Sequence, residues 1–337
     1  MTTENRALDV VLESLGRTLA AKAEQGKAAA PEPEPKPTAK IVQLDFWENG
    51  KRAAPNAVFR SALFPALNFK EGRAFLKEKR LAAVDGVDVL FTGEQFDQSD
   101  LDVYLELLNL ARPLPLGTPL RFSAYSILKA LGRATGKANH EWLHSVLIRL
   151  RSGTVDMTDH KKRYFGGLIE GGFKDEITKH YEIAINPKFA VLFGFGMWAT
   201  IDREQRRALG CNQTAKALHA YYSTHAAPGP HSFDTLARIA GLANSNTRQG
   251  RASLIKAHDH MKAKGCLDGY EVKDDTIAPH VRHTPGQLRH LAKRIAKPRR
   301  KVDTGRELAN SPENRNRPRG DHASSNPEPS RKSREEI

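Results

Sequence analysis

Residues 123–132 (SAYSILKALG) and 232–241 (SFDTLARIAG) decide the fold, because they are two copies of one pattern. Each copy begins with a serine that can cap a helix, continues with apolar residues at helical spacing, and ends in a glycine that opens a turn. A longer helix is predicted after each glycine, over about residues 137–151 and 246–264. Strand-like segments follow both long helices. A short helix, a turn, a long helix and a hairpin, all occurring twice, predict two tandem winged-helix domains and hence an α+β fold.

The segments outside these copies set the domain boundaries. The chain has 337 residues, which is enough for two domains that each bury a core. Residues 1–40 contain an amphipathic helix and a Pro-rich linker, and residues 284–337 are rich in Pro, Lys, Arg, Ser and Asn. Such compositions do not bury enough apolar surface to offset the entropy of ordering. We therefore expect two disordered tails around a first winged-helix domain at residues 41–199 and a second at residues 200–283.

The charge of the chain indicates a polyanionic partner. Fifty-three Lys and Arg residues against thirty-nine Asp and Glu residues give a net charge of +14. From residue 282 onward there are fifteen basic and seven acidic residues, so a surplus of eight charges lies in this C-terminal part of the chain. That tail could bind nucleic acid diffusely or could simply keep the chain soluble.

Other compositional features exclude several classes of protein. No apolar run approaches the ~20 residues that a membrane span needs, and the chain does not begin like a signal peptide. We therefore expect a cytoplasmic protein with no membrane partner. Cys211 and Cys266 have neither the number nor the spacing for a disulfide framework or a cysteine-built zinc site.

The long helix of the second domain is predicted to read DNA bases. Its buried stripe is formed by four residues at helical spacing: Leu254, Ala257, His258 and Met261. A rotation of about 100° per residue places the opposite face outward. On such a face Arg can bond guanine, Gln can bond adenine, Ala can touch a thymine methyl group, and Lys or Ser can hold phosphate. An ordinary solvated helix face is the alternative. The predicted DNA-binding residues here are Ser245, Arg248, Gln249, Ala252 and Lys256.

The long helix of the first domain is predicted to pack rather than to read bases. Opposite its buried stripe lie Lys137, Glu141, Ser145 and Ile148. A glutamate repels phosphate and an exposed isoleucine favours a protein neighbour, so only Lys137 is predicted to contact DNA. A basic loop is predicted to form the tip of the first wing and to contact phosphate, with a solvated hairpin turn as the alternative. Its residues are His160, Lys161, Lys162 and Arg163.

Residues 140–144 (HEWLH) match the HExxH pattern of zinc proteases, in which two His bind zinc and the Glu activates water. The extended pattern would require Gly at position 147 and His at position 150, and both positions are Leu. Glu170 is a downstream candidate ligand, but it lies in a Gly-flanked strand segment. Zinc proteolysis is therefore a remote alternative, and we predict a protein that is not an enzyme, with no catalytic residues, no metal and no cofactor.

Three stretches of the first domain resemble the TrfA-type plasmid replication initiators. They are residues 43–47 (QLDFW), 55–64 (PNAVFRSALF) and 89–94 (VLFTGE), and the similarity continues to residue 193 before it weakens in the second domain. The combination of RSALF with FTGxE is the most specific part. The N-terminal helix and the basic tail have no counterpart in the family, so their roles stay open.

The resemblance implies a protein that binds repeated sites (iterons) in double-stranded origin DNA. It also implies that the protein helps to open an adjacent AT-rich segment and brings in the host helicase DnaB, often with DnaA. In the wider initiator family the second winged helix contributes the main base contacts. The first contributes backbone contacts or a dimer surface, which implies a monomer–dimer equilibrium. A winged-helix transcriptional repressor shares the fold and the groove chemistry, and it is the alternative.

Residues 43–47 also resemble the Gln-Leu-(Ser/Asp)-Leu-Phe peptide by which bacterial proteins dock on the sliding clamp. Two bulky apolar residues, Phe46 and Trp47, replace the usual Leu-Phe pair. The position directly after a disordered linker suits a peptide that folds onto a partner. The alternative is a first strand or an apolar anchor of the folded body. The predicted clamp-binding residues are Gln43, Leu44, Phe46 and Trp47.

Overall fold

Strand pairing in this computed structural model defines two winged helices in chain order. The structure describes residues 13–18, 43–44, 47–67, 72–160, 162–194, 196–242, 247–282, 287–289 and 291–292. The strands are β1 (Lys51–Pro55), β2 (Phe75–Leu81), β3 (Val87–Glu94), β4 (Leu120–Ser123), β5 (Thr154–Asp159), β6 (Lys162–Gly167), β7 (Ile169–Lys174), β8 (His180–Ile185), β9 (Trp198–Asp202), β10 (His231–Ser232), β11 (Leu267–Lys273) and β12 (Thr276–Val281).

Helices of very different length connect these strands. They are α1 (Asn56–Phe59), α2 (Gln98–Ala111), α3 (Ala124–Ala130), α4 (Lys137–Ser152), a 3₁₀ helix (Pro187–Leu192), α5 (Arg203–Ala208), α6 (Gln213–Ser223), α7 (Phe233–Ile239) and α8 (Arg248–Ala263). Residues 13–18 of the predicted N-terminal helix are also helical. No helix in the described part of the chain is long and apolar enough to span a membrane.

The first winged helix consists of β4, α3, α4, β7 and β8. The Ser123 hydroxyl accepts the Ser126 N–H at 3.1 Å and so caps α3 as predicted. Gly132, with φ at +71°, turns the chain towards α4 in a conformation that favours glycine. β8 pairs antiparallel with β4 on one side and with β7 on the other. The β7–β8 hairpin is therefore the wing of the first unit.

The second winged helix repeats this arrangement with β10, α7, α8, β11 and β12. The Ser232 hydroxyl accepts the Thr235 N–H at 3.1 Å, and Gly241 has φ at +70°. The sheet order β10-β12-β11 matches the order β4-β8-β7 of the first unit. The predicted tandem winged-helix fold is therefore confirmed.

The hairpin of β5 and β6 is an insertion between α4 and the first wing. β5 pairs with β3 as well as with β6, which gives a separate antiparallel sheet in the order β2-β3-β5-β6. The prediction that His160, Lys161, Lys162 and Arg163 form the tip of the first wing is thus wrong, because these residues turn an inserted hairpin. The turn of the wing itself is formed by residues 175–179.

Each winged helix has its own core, to which the long helices contribute the predicted stripes. In α8 the buried residues are the four predicted ones, Leu254, Ala257, His258 and Met261. In α4 the buried residues are Leu143, Val146, Leu147 and Leu150, together with Arg149. The first core extends past the predicted domain boundary at residues 199/200. That boundary falls inside β9, which pairs with β1 and contributes buried Ile201 to the first core.

Polar contacts join α2 to the two helices that precede β10, and the described residues up to Leu291 form one compact unit. Asp102 on α2 lies 2.5 Å from Arg206 Nε and 2.7 Å from Lys216 Nζ, two cations on the helices that precede β10. Burial alone would raise the pKa of Asp102, but the charges of Arg206 and Lys216 outweigh that effect and lower it below its usual 3.8. Asp102 is therefore ionised at neutral pH and holds both cations.

Candidate nucleic-acid interface

The outer face of α8 carries four of the predicted base-reading residues. Arg248, Gln249, Ala252 and Lys256 are all exposed, on the side of the helix opposite its buried stripe. The Thr247 hydroxyl accepts the Gly250 N–H at 3.0 Å and caps the first turn, so that Arg248 and Gln249 begin the helix at the surface. The fifth predicted residue, Ser245, lies outside the described residues.

The charges on this face are available for a polyanion. Neither Arg248 nor Lys256 forms an ion pair with any residue that the structure describes. Arg251, one position from Ala252, is instead paired with Asp275 at the turn of the β11–β12 hairpin, and its guanidinium lies 4.9 Å above the Phe233 ring. Arg251 thus ties α8 to the second wing, while Arg248 and Lys256 keep their charges for a ligand.

The His residue in the buried stripe of α8 has a packing role. His258 Nε2 lies 2.8 Å from the Tyr222 hydroxyl, and its Nδ1 lies 2.7 Å from the Leu254 carbonyl oxygen. Burial lowers the pKa of His258, so the ring is neutral at physiological pH. The residue therefore belongs to the core.

The outer face of α4 is closer to charge balance. Lys137 lies 3.8 Å from Glu141 one helical turn away. A groove of about 570 Å³ separates this face from the first wing, where Lys174 and Lys179 both bond to Glu176 at 2.8 Å. Hydrogen bonds from these two lysines lower the pKa of Glu176 to about 2, so it stays ionised. Ion pairing thus leaves this face less suited to DNA than that of α8.

Two of these lysines were missed from the sequence. Lys174 and Lys179 flank the turn of the first wing. They can be placed there only once it is known that β8 pairs with β4. The alternation of polar and apolar residues predicts a hairpin, but it does not predict which other strand that hairpin pairs with.

The turn of the inserted β5–β6 hairpin carries one unpaired cation among its described residues. Arg163 donates two hydrogen bonds to Asp156, at 2.8 and 2.5 Å, and His160 Nδ1 lies 2.6 Å from Asp159. Lys162 is exposed without a described partner, and Lys161 lies outside the described residues. Of the four predicted phosphate contacts, Lys162 is therefore the one that the described contacts leave available.

The HEWLH segment lies on α4, and its side chains do not converge with further ligands. His144 Nδ1 is 3.4 Å from the Tyr181 hydroxyl. Within the part of the chain that the structure describes, no group of three His, Cys, Asp or Glu side chains could hold a metal ion. Leu143 in the middle of the motif is fully buried, in the stripe that the helical spacing predicted.

Two of the four predicted clamp-binding residues lie in the first core. Leu44 is 5% exposed and Trp47 is 4% exposed, and the Trp47 ring lies 6.1 Å from that of Trp198. Arg112 at the end of α2 donates to the Trp47 carbonyl oxygen and stacks over the Trp47 ring. Gln43 is exposed and Phe46 lies outside the described residues. Clamp binding stays a prediction, and it would require Leu44 and Trp47 to leave the core.

Two capped helix-turn-helix units, each closed by a hairpin, define a tandem winged-helix protein with one long helix open to a ligand. Residues 14–281 match the family model described as TrfA protein, so the chain belongs to the TrfA family. It is 25% identical over 292 residues to the plasmid replication initiator protein TrfA of Escherichia coli. The aligned region covers 82% of this chain and 74% of that protein.

Solved structures of two other proteins are similar at low sequence identity. One is the Pi initiator protein in complex with iteron DNA, with 11% identity and a TM-score of 0.41 over 56% of this chain and 95% of that one. The other consists of domains 2 and 3 of RctB, with 11% identity and a TM-score of 0.45 over 68% of this chain and 98% of that one.

Proposed function

We propose that this chain initiates plasmid replication by binding iterons in double-stranded origin DNA. The observation that carries the proposal is the outer face of α8, where Arg248, Gln249, Ala252 and Lys256 are exposed and neither cation has a described ion-pair partner. These side chains are of the types that read base edges and hold phosphate in a major groove. Membership of the TrfA family supports the same reading.

In this proposal the two halves of the chain make different kinds of contact with DNA. The face of α8 reads bases, whereas Lys137 of the first winged helix and Lys162 of the inserted β5–β6 hairpin contribute backbone contacts. The outer face of α4 also exposes Ile148 at 54%, next to Phe173 of the first wing at 61%. Exposed apolar side chains of this size favour a protein contact, which supports a dimer surface on the first unit and a monomer–dimer equilibrium.

Binding is the first step of initiation in this proposal. The bound protein promotes opening of an adjacent AT-rich segment and recruits the host helicase DnaB together with DnaA. A sliding clamp that engages residues 43–47 is a further proposed partner. The support for these later steps is the family membership alone.

Footprinting on the plasmid origin tests the proposal directly. We expect protection of direct repeats about two helical turns long beside an AT-rich run, with the same face of each repeat protected. A fragment of equal length with scrambled repeats, measured at the same salt concentration, is the matched control. Protection of a single palindrome at a promoter would instead support a transcriptional repressor.

A further inference from the structure

A cavity of about 310 Å³ lies between the first helix-turn-helix and the helices α5 and α6. None of its lining residues belongs to α8. Its walls come from the turn after α3 on one side and from α5 and α6 on the other, with β1 and α2 behind. At Gly132 an added Cβ atom would lie 2.6 Å from Arg207 Nη2, so the first helix-turn-helix approaches α5 closely at this point. Six cations line the cavity: Arg52, Arg133, Arg203, Arg206, Arg207 and Lys216.

These cations outnumber the carboxylates that share the cavity wall. Glu106 lies 2.8 Å from Arg52 and 3.4 Å from Arg203. Asp102 forms ion pairs with both Arg206 and Lys216. Two carboxylates therefore meet six cations, a surplus of four positive charges along the wall.

The two remaining cations face the cavity with weak compensation. Arg207 pairs at 3.2 Å with Glu204, whose side chain is 68% exposed and screened by solvent. Arg133 lies 3.8 Å above the Trp142 ring and has no carboxylate partner among the described residues. The surplus positive charge is therefore concentrated at the opening, between the first helix-turn-helix and α5.

Two arginines of the cavity wall have a buried Nε atom without a hydrogen bond in the described part of the chain. One is Arg52, which is 6% exposed. The other is Arg203, whose Nε lies 3.4 Å from Glu106 Oε1 in an ion pair but is not aligned for a hydrogen bond. Buried donors are normally satisfied. The two carboxylates of the cavity wall therefore leave part of the arginine donor capacity unused.

We propose that this cavity binds a small anion that carries several phosphate charges, such as inorganic tripolyphosphate or a nucleoside triphosphate. Guanidinium groups bond phosphate oxygens in pairs, and the volume lies within the range of small-molecule sites. Because Arg133 follows α3 of the first winged helix, whereas Arg207 lies on α5 and Lys216 on α6, the ligand bridges the first winged helix and these two helices. Bound ligand therefore favours the arrangement of the first winged helix, α5 and α6 seen here. The proposal does not depend on iteron binding.

Cys211 provides a direct probe, because its exposed thiol lies on the cavity wall. The other cysteine, Cys266, is buried, and burial raises the pKa of its thiol to about 11, so it reacts slowly and acts as an internal reference. The full chain is alkylated with neutral N-ethylmaleimide and followed by mass spectrometry. Tripolyphosphate or ATP at ten times its dissociation constant should slow modification of Cys211 about tenfold, because only the unbound state reacts.

Substitutions distinguish specific binding from general charge screening. The double variant Arg133→Ser and Arg207→Ser should require at least about tenfold more ligand for the same protection, since it removes two charged hydrogen-bond donors. Arg238→Ser is the matched control, at an exposed arginine on α7 whose ion-pair partner among the described residues is Asp234 one helical turn away, and it should behave like the parent chain. Thermal melting of each variant establishes that it is folded.

Three outcomes would overturn the proposal. Sodium chloride at equal ionic strength could protect Cys211 as well as tripolyphosphate does, which would reduce the effect to screening. The double variant could retain full protection, which would place the anion elsewhere. Protection by duplex DNA but not by tripolyphosphate or ATP would assign the cavity to a DNA backbone phosphate.

Discussion

His258 and Arg248 occupy opposite sides of α8, and their surroundings give them opposite roles. The imidazole of His258 is buried against Tyr222 and Leu254 and is kept neutral, so it contributes to packing. The guanidinium of Arg248 is exposed at the first turn of the helix, without a described carboxylate partner. At the scale of single residues, the proposed DNA contacts therefore come from the side chains that the core leaves exposed.

Base recognition by Arg248 can be separated from phosphate contact by Lys162. We expect Arg248→Ala to cost about 1–3 kcal/mol of binding free energy and to relax the preference at one position of the site. Lys162→Ala should weaken all sequences alike and lower the slope of log K against log salt by about one. Titrations with specific and random duplexes at several salt concentrations measure both effects. An unchanged ratio of specific to random binding in Arg248→Ala would refute this assignment.

The segment at residues 43–47 can either pack in the first core or bind the sliding clamp. We expect a synthetic peptide of residues 40–51 to bind the clamp with about micromolar affinity, because ordering a short peptide offsets much of the apolar burial. Gln43→Ala or Phe46→Ala in the peptide should abolish binding. The whole chain should bind more weakly than the peptide, since Leu44 and Trp47 must first leave the core. Surface plasmon resonance on immobilised clamp compares the two.

A matched variant of the whole chain shows what the core contributes. Trp47→Ala should lower the free energy of unfolding by about 3–5 kcal/mol, the usual cost of deleting a buried aromatic side chain. Urea denaturation measures this change. A peptide that fails to bind, together with a strongly destabilised Trp47→Ala, would leave the segment with a structural role alone.

At the scale of elements, α4 and α8 occupy equivalent positions in the two winged helices but have different outer faces. Both contain sixteen residues and both bury the same four positions relative to their first residue. Aligned in this way, Lys137 corresponds to Arg248, Glu141 to Ala252, and Ser145 to Lys256. The first helix thus carries an acid where the second has a small neutral residue, which in the proposed complex would let a DNA strand approach.

This correspondence predicts an asymmetric effect of exchanging the two residues. Ala252→Glu places a carboxylate in the centre of the α8 face and should weaken iteron binding at least about tenfold through repulsion from phosphate. The reverse change, Glu141→Ala on α4, should alter affinity less than about twofold if the first helix does not enter the groove. Both positions are exposed, so circular dichroism should show unchanged folding. Equal losses from the two variants would mean that both helices read DNA.

At the scale of the whole molecule, Asp102 joins α2 to α5 and α6 through charge. Its carboxylate holds Arg206 and Lys216, whose side chains are 5% and 11% exposed. Asp102→Asn leaves these two cations without their counter-charge and should lower the free energy of unfolding by about 3 kcal/mol. Urea denaturation at neutral pH measures the change. Asp234→Asn, which removes a half-exposed acid 3.8 Å from Arg238, is the control and should cost less than about 0.5 kcal/mol.

The same contact predicts a pH dependence. Because the pKa of Asp102 is lower in the folded protein than its usual 3.8, the contribution of Asp102 is complete above the unfolded value and is lost as the pH falls through the folded value. The stability difference between the parent chain and Asp102→Asn should therefore be constant above about pH 5 and shrink at lower pH. A difference that grows on acidification would contradict this sign.

Much of the fold follows from local sequence patterns, because the interactions concerned join residues close together in the chain. Ser123 and Ser232 cap their helices, Gly132 and Gly241 make the turns, and the predicted stripes of α4 and α8 are buried. These features depend on the spacing of apolar residues and on backbone groups within one helical turn. The exposed face of α8 follows from the same periodicity, because the side chains opposite its apolar stripe are mostly polar or charged.

The sequence by itself thus determined the repeated winged helix, the buried stripes and the outward face of α8. Only the tertiary structure decided that β5–β6 joins β3 rather than the first wing, that Leu44 and Trp47 enter the core, and that six cations surround one cavity. The physical reason is that helical periodicity is a short-range property of the chain. Strand partners, core membership of a short apolar segment and the meeting of distant charges are set by contacts between residues far apart in sequence, and those form only when the whole chain packs.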